Sequence, residues 1–299
     1  MEEVEAINYQ YIIRCKDPPA KKTLFMNNVN SYFGCTLLKK VLSLYKEDEN
    51  LFYEVFGTIG KHEELREDLR HINVLDSEDD GFMDEVIECD IIIFDIGIGQ
   101  ELAGARKFFK HFEQQLEASN VEKKKQVILL STIMTWAQTE SSQVLSDSSY
   151  RKRKPHPCYT NHFSLERDFI NLSRKFQENV SSVVICPGIV YGGKQDVLHF
   201  IYKKSYFNSF DIEIFSPGTN YLPLIYIEDY SKIVIDVIRN PPDSNTPYIL
   251  AVQPEPLKAT KIVSSLVEAV GGPEMRVKIC SREEIFLMDE ELMTVSMNN

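Results

Sequence analysis

Two kinds of apolar pattern alternate along the chain, one compact and β-branched, the other spaced every three or four residues. The compact runs are Lys22–Asn27, Leu51–Phe56, Ile72–Leu75, Asp90–Ile96, Gln126–Leu130 and Ser182–Cys186. Asp90–Ile96 is almost continuously apolar, as expected of a strand buried on both faces of a parallel sheet. Helical spacing lies between these runs: Cys35–Leu44, a charged segment His62–His71, then Phe82–Glu88, Leu102–Leu116 and His162–Lys175. Alternating strands and helices of this kind predict right-handed βαβ units, and hence an α/β fold with a doubly wound parallel sheet. Ser141–Tyr150 and Pro241–Pro247 predict loops.

After about residue 190 the simple alternation is lost. The expectation is an N-terminal arm (1–20), then one domain over 21–299. Its Rossmann core covers about 21–190 plus 222–255, and a small lobe covers about 191–221 and 256–299. Hydrophobic residues make up 43% of the chain and charged residues 26%, ordinary values for a soluble protein with a core. The formal net charge of −12 argues against a nucleic-acid surface, which needs a clustered positive field. No apolar run approaches the length of a membrane span, and the acidic start has no basic n-region of a signal peptide. Six scattered cysteines without a CxxC pair imply a reducing compartment, with Cys89 and Cys186 as inert core thiols. The six histidines show no metal-ligand spacing with Cys or Asp, so no metal site is expected.

Several motifs follow one another in a telling order. Leu129–Thr132 (LLST) ends a strand, Pro187–Gly192 reads PGIVYG, and Leu224–Asp229 reads LIYIED. Together they resemble the extended short-chain dehydrogenase/reductase family, which includes NAD-dependent epimerases and dehydratases, over residues 22–290 or so. More closely, LLSTIMTWA (129–137), YRKRKPHP (150–157) and HFSLERDFI (162–170) resemble the N-terminal Rossmann-like region of the adenylate kinase 7 family of motile cilia. That resemblance implies a cytoplasmic protein of the cilium or flagellum axoneme, with other axonemal proteins as partners and neither nucleic acid nor membrane. No GxxxxGK phosphate loop occurs in these residues, so a kinase domain, if there is one, lies outside them.

The dehydrogenase resemblance implies a GxxGxxG cofactor turn, and the matching positions are Asn28, Ser31 and Gly34. Asn tolerates a left-handed backbone, so Asn28 can still make the turn. Ser31 adds a Cβ where a pyrophosphate would approach, and the next strand ends at Gly57-Thr58 without the acid that would read the ribose. No cofactor is expected, with weak NAD(P) binding as the alternative. A helix N-terminus remains an anion site in principle. Asp95, at the end of a strand beside the cofactor, would repel a pyrophosphate or bond the neighbouring turn backbone.

The same resemblance implies a catalytic Tyr, a Lys four residues later that lowers its pKa, and a Ser or Thr that orients substrate. Counting back from Glu166 puts His162 at the Lys position and Cys158 at the Tyr position. Tyr159 is one residue out of register, a turn of about 100° around a helix, and Pro155–Glu166 contains no Lys. Tyr159 and His162 stand at i, i+3 and could exchange protons; packing is the plainer role. Ser131 and Thr132 survive at the orienting position. These positions together imply a pseudoenzyme. The reading that follows is a non-catalytic scaffold, against an NAD(P)-sensing pseudoenzyme or an atypical epimerase or reductase. Arg151, Lys152, Arg153 and Lys154 form the densest basic run and are the candidate surface for an acidic partner. Trp136 and Met134, past the strand end, are expected to pack.

Overall fold

A computed structural model describes residues 20–44, 51–60, 63–97, 102–140, 145–193, 198–207, 212–242, 246–271 and 276–281. Residues 1–19 of the expected arm and 141–144 of the Ser-rich loop lie outside them. The chain divides into two compact units, Met1–Pro187 with Glu228–Ala251, and Gly188–Ile227 with Val252–Asn299.

The larger unit runs β1 (Ala20–Met26), α1 (Tyr32–Ser43), β2 (Leu51–Gly57), β3 (Asn73–Val74), α2 (Phe82–Glu88), β4 (Ile91–Asp95), α3 (Leu102–Glu117) and β5 (Lys125–Leu130). It continues with α4 (Thr160–Lys175) and β6 (Val180–Pro187). Its seven-stranded sheet has the order β11-β6-β5-β4-β1-β2-β3, with every pairing parallel. All six compact runs of the sequence are strands of this sheet, as their β-branched composition predicts. Phe25, Ile92, Phe94, Val127, Leu129 and Val184 form one core with α2, α3 and α4, built around a cluster of Phe108, Phe109 and Phe112. The alternate residues Leu24, Met26, Ile93 and Ile128 are equally buried, so both faces of the sheet are covered.

The smaller unit contains β7 (Ile189–Tyr191), α5 (His199–Tyr206), β8 (Ile212–Phe215), β9 (Tyr221–Leu222) and β10 (Leu224–Tyr226). Helix α6 (Ile227–Arg239) and strand β11 (Tyr248–Ala251) return the chain to the sheet. The small unit then ends with β12 (Leu257–Lys258), α7 (Ala259–Val270) and β13 (Val277–Cys280). Its own core is Ile201, Ile212, Ile214, Ala259 and Val263. PGIVYG and LIYIED meet here as the paired strands β7 and β10. A Cβ on Gly188 would lie 2.2 Å from the Pro223 carbonyl oxygen, so this close approach requires glycine. None of the described helices is long and apolar enough to cross a membrane.

One predicted element is corrected. His62 lies outside the described residues, and the described remainder of His62–His71 is not a helix: residues 63–66 are irregular and Glu67–Leu69 forms a 3-10 turn. The Asn30 side chain is the cause. It donates to the Glu64 carbonyl at 2.9 Å and accepts from the Arg66 amide at 3.4 Å, holding backbone groups that a helix would need for itself.

Candidate functional site

The turn between β1 and α1 is fastened from within. Asn28 adopts a left-handed backbone (φ 52°), as its side chain allows. Its amide donates to Thr58 Oγ1 at 3.1 Å, and the Val29 amide to the Thr58 carbonyl at 2.9 Å. The Ser31 amide donates to the Asn28 carbonyl at 2.8 Å, and Ser31 Oγ accepts the Gly34 amide at 2.9 Å, which caps α1. Four amides of the turn thus donate within the protein. Val29 is fully buried, and its Cγ1 would sit 2.2 Å from a Cβ on Gly57, so the loss of a side chain at Gly57 seats the turn.

Carboxylates flank this turn. Asn30 Nδ2 donates to Glu63 Oε2 at 3.2 Å, which sets an acid beside the turn. On the other side Asn27 and Asp95 exchange bonds: Asn27 Nδ2 donates to the Asp95 carbonyl at 2.9 Å and Asn27 Oδ1 accepts the Asp95 amide at 2.6 Å. The Asp95 side chain accepts the Gly97 amide at 2.9 Å, a bond within its own loop in place of one to the neighbouring turn. Burial pushes its carboxyl up to about 6, and the Gly97 N–H opposes part of that rise. The Phe33 and Tyr230 rings stack at 4.0 Å, and Tyr230 is buried near Asp95. Thr58 supplies both oxygens that hold the turn. Thr58→Val is expected to remove the acceptor of the Asn28 amide and lower stability by about 1–3 kcal/mol in urea unfolding. No loss would show that the Asn28 amide finds another acceptor.

From just past the end of β5 to the middle of α4, Ser131 Oγ donates to Glu166 Oε1 at 2.5 Å. Arg153 Nη2 donates to Glu166 Oε2 at 2.9 Å and also to the Tyr248 hydroxyl, and its Nη1 donates to the Tyr150 carbonyl at 2.7 Å. The guanidinium lies 4.1 Å from the Tyr248 ring centre and 4.6 Å from that of Phe163. The ion pair is fully interior, with side-chain exposures of 4% for Arg153 and 0% for Glu166. Burial pushes the Glu166 carboxyl up, while Arg153 and the Ser131 hydroxyl pull it down. Ser131 therefore serves this network. Thr132 caps a 3-10 turn by accepting the Met134 amide at 3.2 Å. Trp136 at the end of that turn is 1% exposed and packs edge-on against Tyr248.

The positions matched to the acid–base pair lie at the start of α4. Cys158 is an exposed free thiol whose amide donates to His156 Nδ1 at 3.3 Å. The Tyr159 and His162 rings are 5.0 Å apart and tilted. Burial lowers the His162 pKa and Arg106 adds to that, against the Ile96 and Gly97 backbone groups that raise it, so the net shift favours the neutral imidazole. Tyr159 and His162 are thus brought together.

The basic run is divided by the fold. Arg153 is interior, which removes it from the partner surface expected of Arg151–Lys154. It turns inward because Tyr248, Phe163 and Glu166 offer it stacking and charge, as the arginine fork allows. Lys154 pairs with Glu140 at 3.2 Å and Arg151 lies against Tyr150, both exposed, and Lys152 has no ionic partner among the described residues. Thr58, Glu63, Tyr230 and Tyr248 were missed by sequence reasoning, and their partners are distant in the chain.

No family model matches the sequence. Over 212 residues the chain is 26% identical to adenylate kinase 7 of Mus musculus, covering 67% of this chain and 33% of that protein. It is a distant relative over that stretch and spans about a third of the length of the curated relative it matches. Among solved structures, UDP-N-acetylglucosamine 4-epimerase from Methanobrevibacter ruminantium M1 matches with a TM-score of 0.66 at 13% identity, over 88% of this chain and 86% of that one. dTDP-glucose 4,6-dehydratase from Bacillus anthracis, solved in complex with NAD, gives 0.65 at 11% over 87% and 85%. UDP-glucose 4-epimerase from Thermotoga maritima gives 0.64 at 14% over 87% and 86%. These likenesses establish the epimerase/dehydratase-type Rossmann fold and nothing finer.

Proposed function

We propose that this chain is a non-catalytic Rossmann-fold scaffolding module of the cilium or flagellum axoneme, of the kind formed by the N-terminal region of adenylate kinase 7. One observation carries the non-catalytic part. Amides of Asn28, Val29, Ser31 and Gly34, on the turn where this fold receives a pyrophosphate, donate to the protein itself. Glu63 and Asp95 add negative charge on either side, so an entering diphosphate meets repulsion and few free donors. Cys158 and His162 at the matched acid–base positions support the same reading. A phenol needs a neighbouring cation to act near neutral pH, and the neutral His162 imidazole offers Tyr159 none. The axonemal setting is supported by the similarity to adenylate kinase 7.

Co-sedimentation with isolated axonemes tests the proposal. The unmodified chain should pellet, and Tyr159→Phe/His162→Ala should pellet equally. Charge reversal of Arg151, Lys152 and Lys154 should weaken association in a salt-dependent way, since exposed charges are screened beyond about 8 Å at physiological ionic strength. No pelleting of the unmodified chain, or loss confined to the Tyr159/His162 variant, would contradict it.

A further inference from the structure

We infer that a groove at the N-terminal ends of the central strands binds an extended acidic peptide with carboxylates three residues apart. The groove lies wholly in the larger unit, where β1, β4, β5 and β6 begin, and has a volume of about 1130 Å³. This goes beyond the axonemal reading, because it rests on cations other than the Arg151–Lys154 run. Lys21, Lys22, Lys124, Lys125 and Arg174 line the groove, against Asp90 and Glu178. Lys21 is paired with Glu54 at 2.7 Å, and Asp90 Oδ2 accepts the Thr23 amide and hydroxyl at 2.9 and 3.0 Å. Lys22 and Lys124 are exposed and have no ionic partner among the described residues. Arg174 donates to the Tyr150 hydroxyl at 3.1 Å rather than to a carboxylate. Lys125 is 5% exposed, and its ammonium donates to the Glu88 carbonyl at 3.1 Å. Burial lowers its pKa, with Glu88 and Asp90 pulling the other way. Lysine is seldom buried without a carboxylate in contact, so an acid entering the groove meets unbalanced positive charge.

Spacing selects the ligand. Leu24 pairs with Ile91 and Ile91 with Gln126, so the three stand in one row across the sheet. Lys22 and Lys124 each precede that row by two residues, two strand spacings or about 10 Å apart. A polyproline II chain repeats every three residues with a rise of about 3.1 Å, which sets side chains i and i+3 on one side about 9 Å apart. Two carboxylates so spaced reach both ammonium groups. Pro241, Pro242 and Pro247 form part of the wall and offer apolar surface to the methylenes of such side chains. A long polyanion such as nucleic acid is disfavoured, since its length would bring it against the rest of a chain of net charge −12.

Fluorescence anisotropy on the full chain, with a labelled peptide of repeated Glu-Pro-Pro, tests this. The expected dissociation constant is tighter than about 100 μM at about 0.05 M salt. Binding should weaken as salt rises, because exposed charges are screened over about 10 Å at about 0.1 M. A matching Gln-Pro-Pro peptide should bind at least about tenfold more weakly. Lys22→Glu/Lys124→Glu should cost at least about tenfold, and Lys22→Gln/Lys124→Gln about threefold. Circular dichroism of both variants should be unchanged, since the two side chains are exposed; the glutamine variant decides if the other loses its fold. No binding, equal binding of the Gln-Pro-Pro peptide, unchanged affinity in both lysine variants, or tripolyphosphate competing better than unlabelled peptide would each overturn the proposal. A larger loss in Arg151→Glu/Lys152→Glu/Lys154→Glu than in Lys22→Glu/Lys124→Glu would also overturn it, and would leave the axonemal reading standing.

Discussion

Arg153→Met is expected to lower the unfolding free energy at pH 7 by about 3–5 kcal/mol, the range for orphaning one partner of a buried ion pair. Methionine keeps much of the apolar volume between the Tyr248 and Phe163 rings, so the loss reports charge more than cavity. Glu166 is left interior with only neutral donors such as Ser131 Oγ, and the Tyr150 carbonyl and Tyr248 hydroxyl each lose a donor. Adding Glu166→Gln removes the stranded charge while keeping an acceptor for Ser131. The double variant should therefore recover at least half of the loss, the coupling expected of directly bonded residues. Urea denaturation of the two single variants and the double one completes the cycle. A cost below about 1 kcal/mol for Arg153→Met, the value for an exposed pair, would place Arg153 back on the surface.

Asp95→Asn shifts stability in the opposite direction. The buried carboxyl titrates at about 6, whereas an aspartate in an unfolded chain titrates near 3.9. The folded state therefore holds the proton more tightly, and stability falls as pH rises from about 4 to about 6. Above that window the ionised form carries a penalty of up to about 3 kcal/mol. Asparagine keeps an oxygen for the Gly97 amide and removes the charge. The expected gain is about 1–3 kcal/mol at pH 7.5, shrinking towards zero at pH 4. A gain of equal size at both pH values would assign it to packing, and a loss at pH 7.5 would show that the carboxylate is stabilised by the site.

The sheet was legible because its central strands are buried on both faces, and Asp90–Ile96, Gln126–Leu130 and Ser182–Cys186 state that in composition alone. The motif pair PGIVYG and LIYIED was legible as sequence, and its meaning as two paired strands follows from the close approach at Gly188. The segment 62–71 was misread because its charges fit a helix face, while its backbone is claimed by one Asn30 side chain from the turn after β1. Arg153 was misread for a related reason. Four consecutive cations read as a solvated surface, yet the groups that draw one of them inward come from Phe163, Glu166 and Tyr248. Long-range partners also explain Thr58, an unremarkable residue in sequence whose two oxygens hold the Asn28 and Val29 amides. What stayed hidden was pairing across the fold, which periodicity does not encode.

Equilibrium titration of the unmodified chain with NAD(H) and NADP(H), followed by calorimetry, tests the non-catalytic reading most directly. The expected dissociation constant is weaker than about 1 mM, or less than about 4 kcal/mol of binding free energy. Asn28→Gly/Ser31→Gly should not restore affinity, because Thr58 still occupies the turn and no acid stands at the end of β2 to read the ribose. A micromolar dissociation constant for the unmodified chain would contradict the reading and make the crevice a dinucleotide sensor.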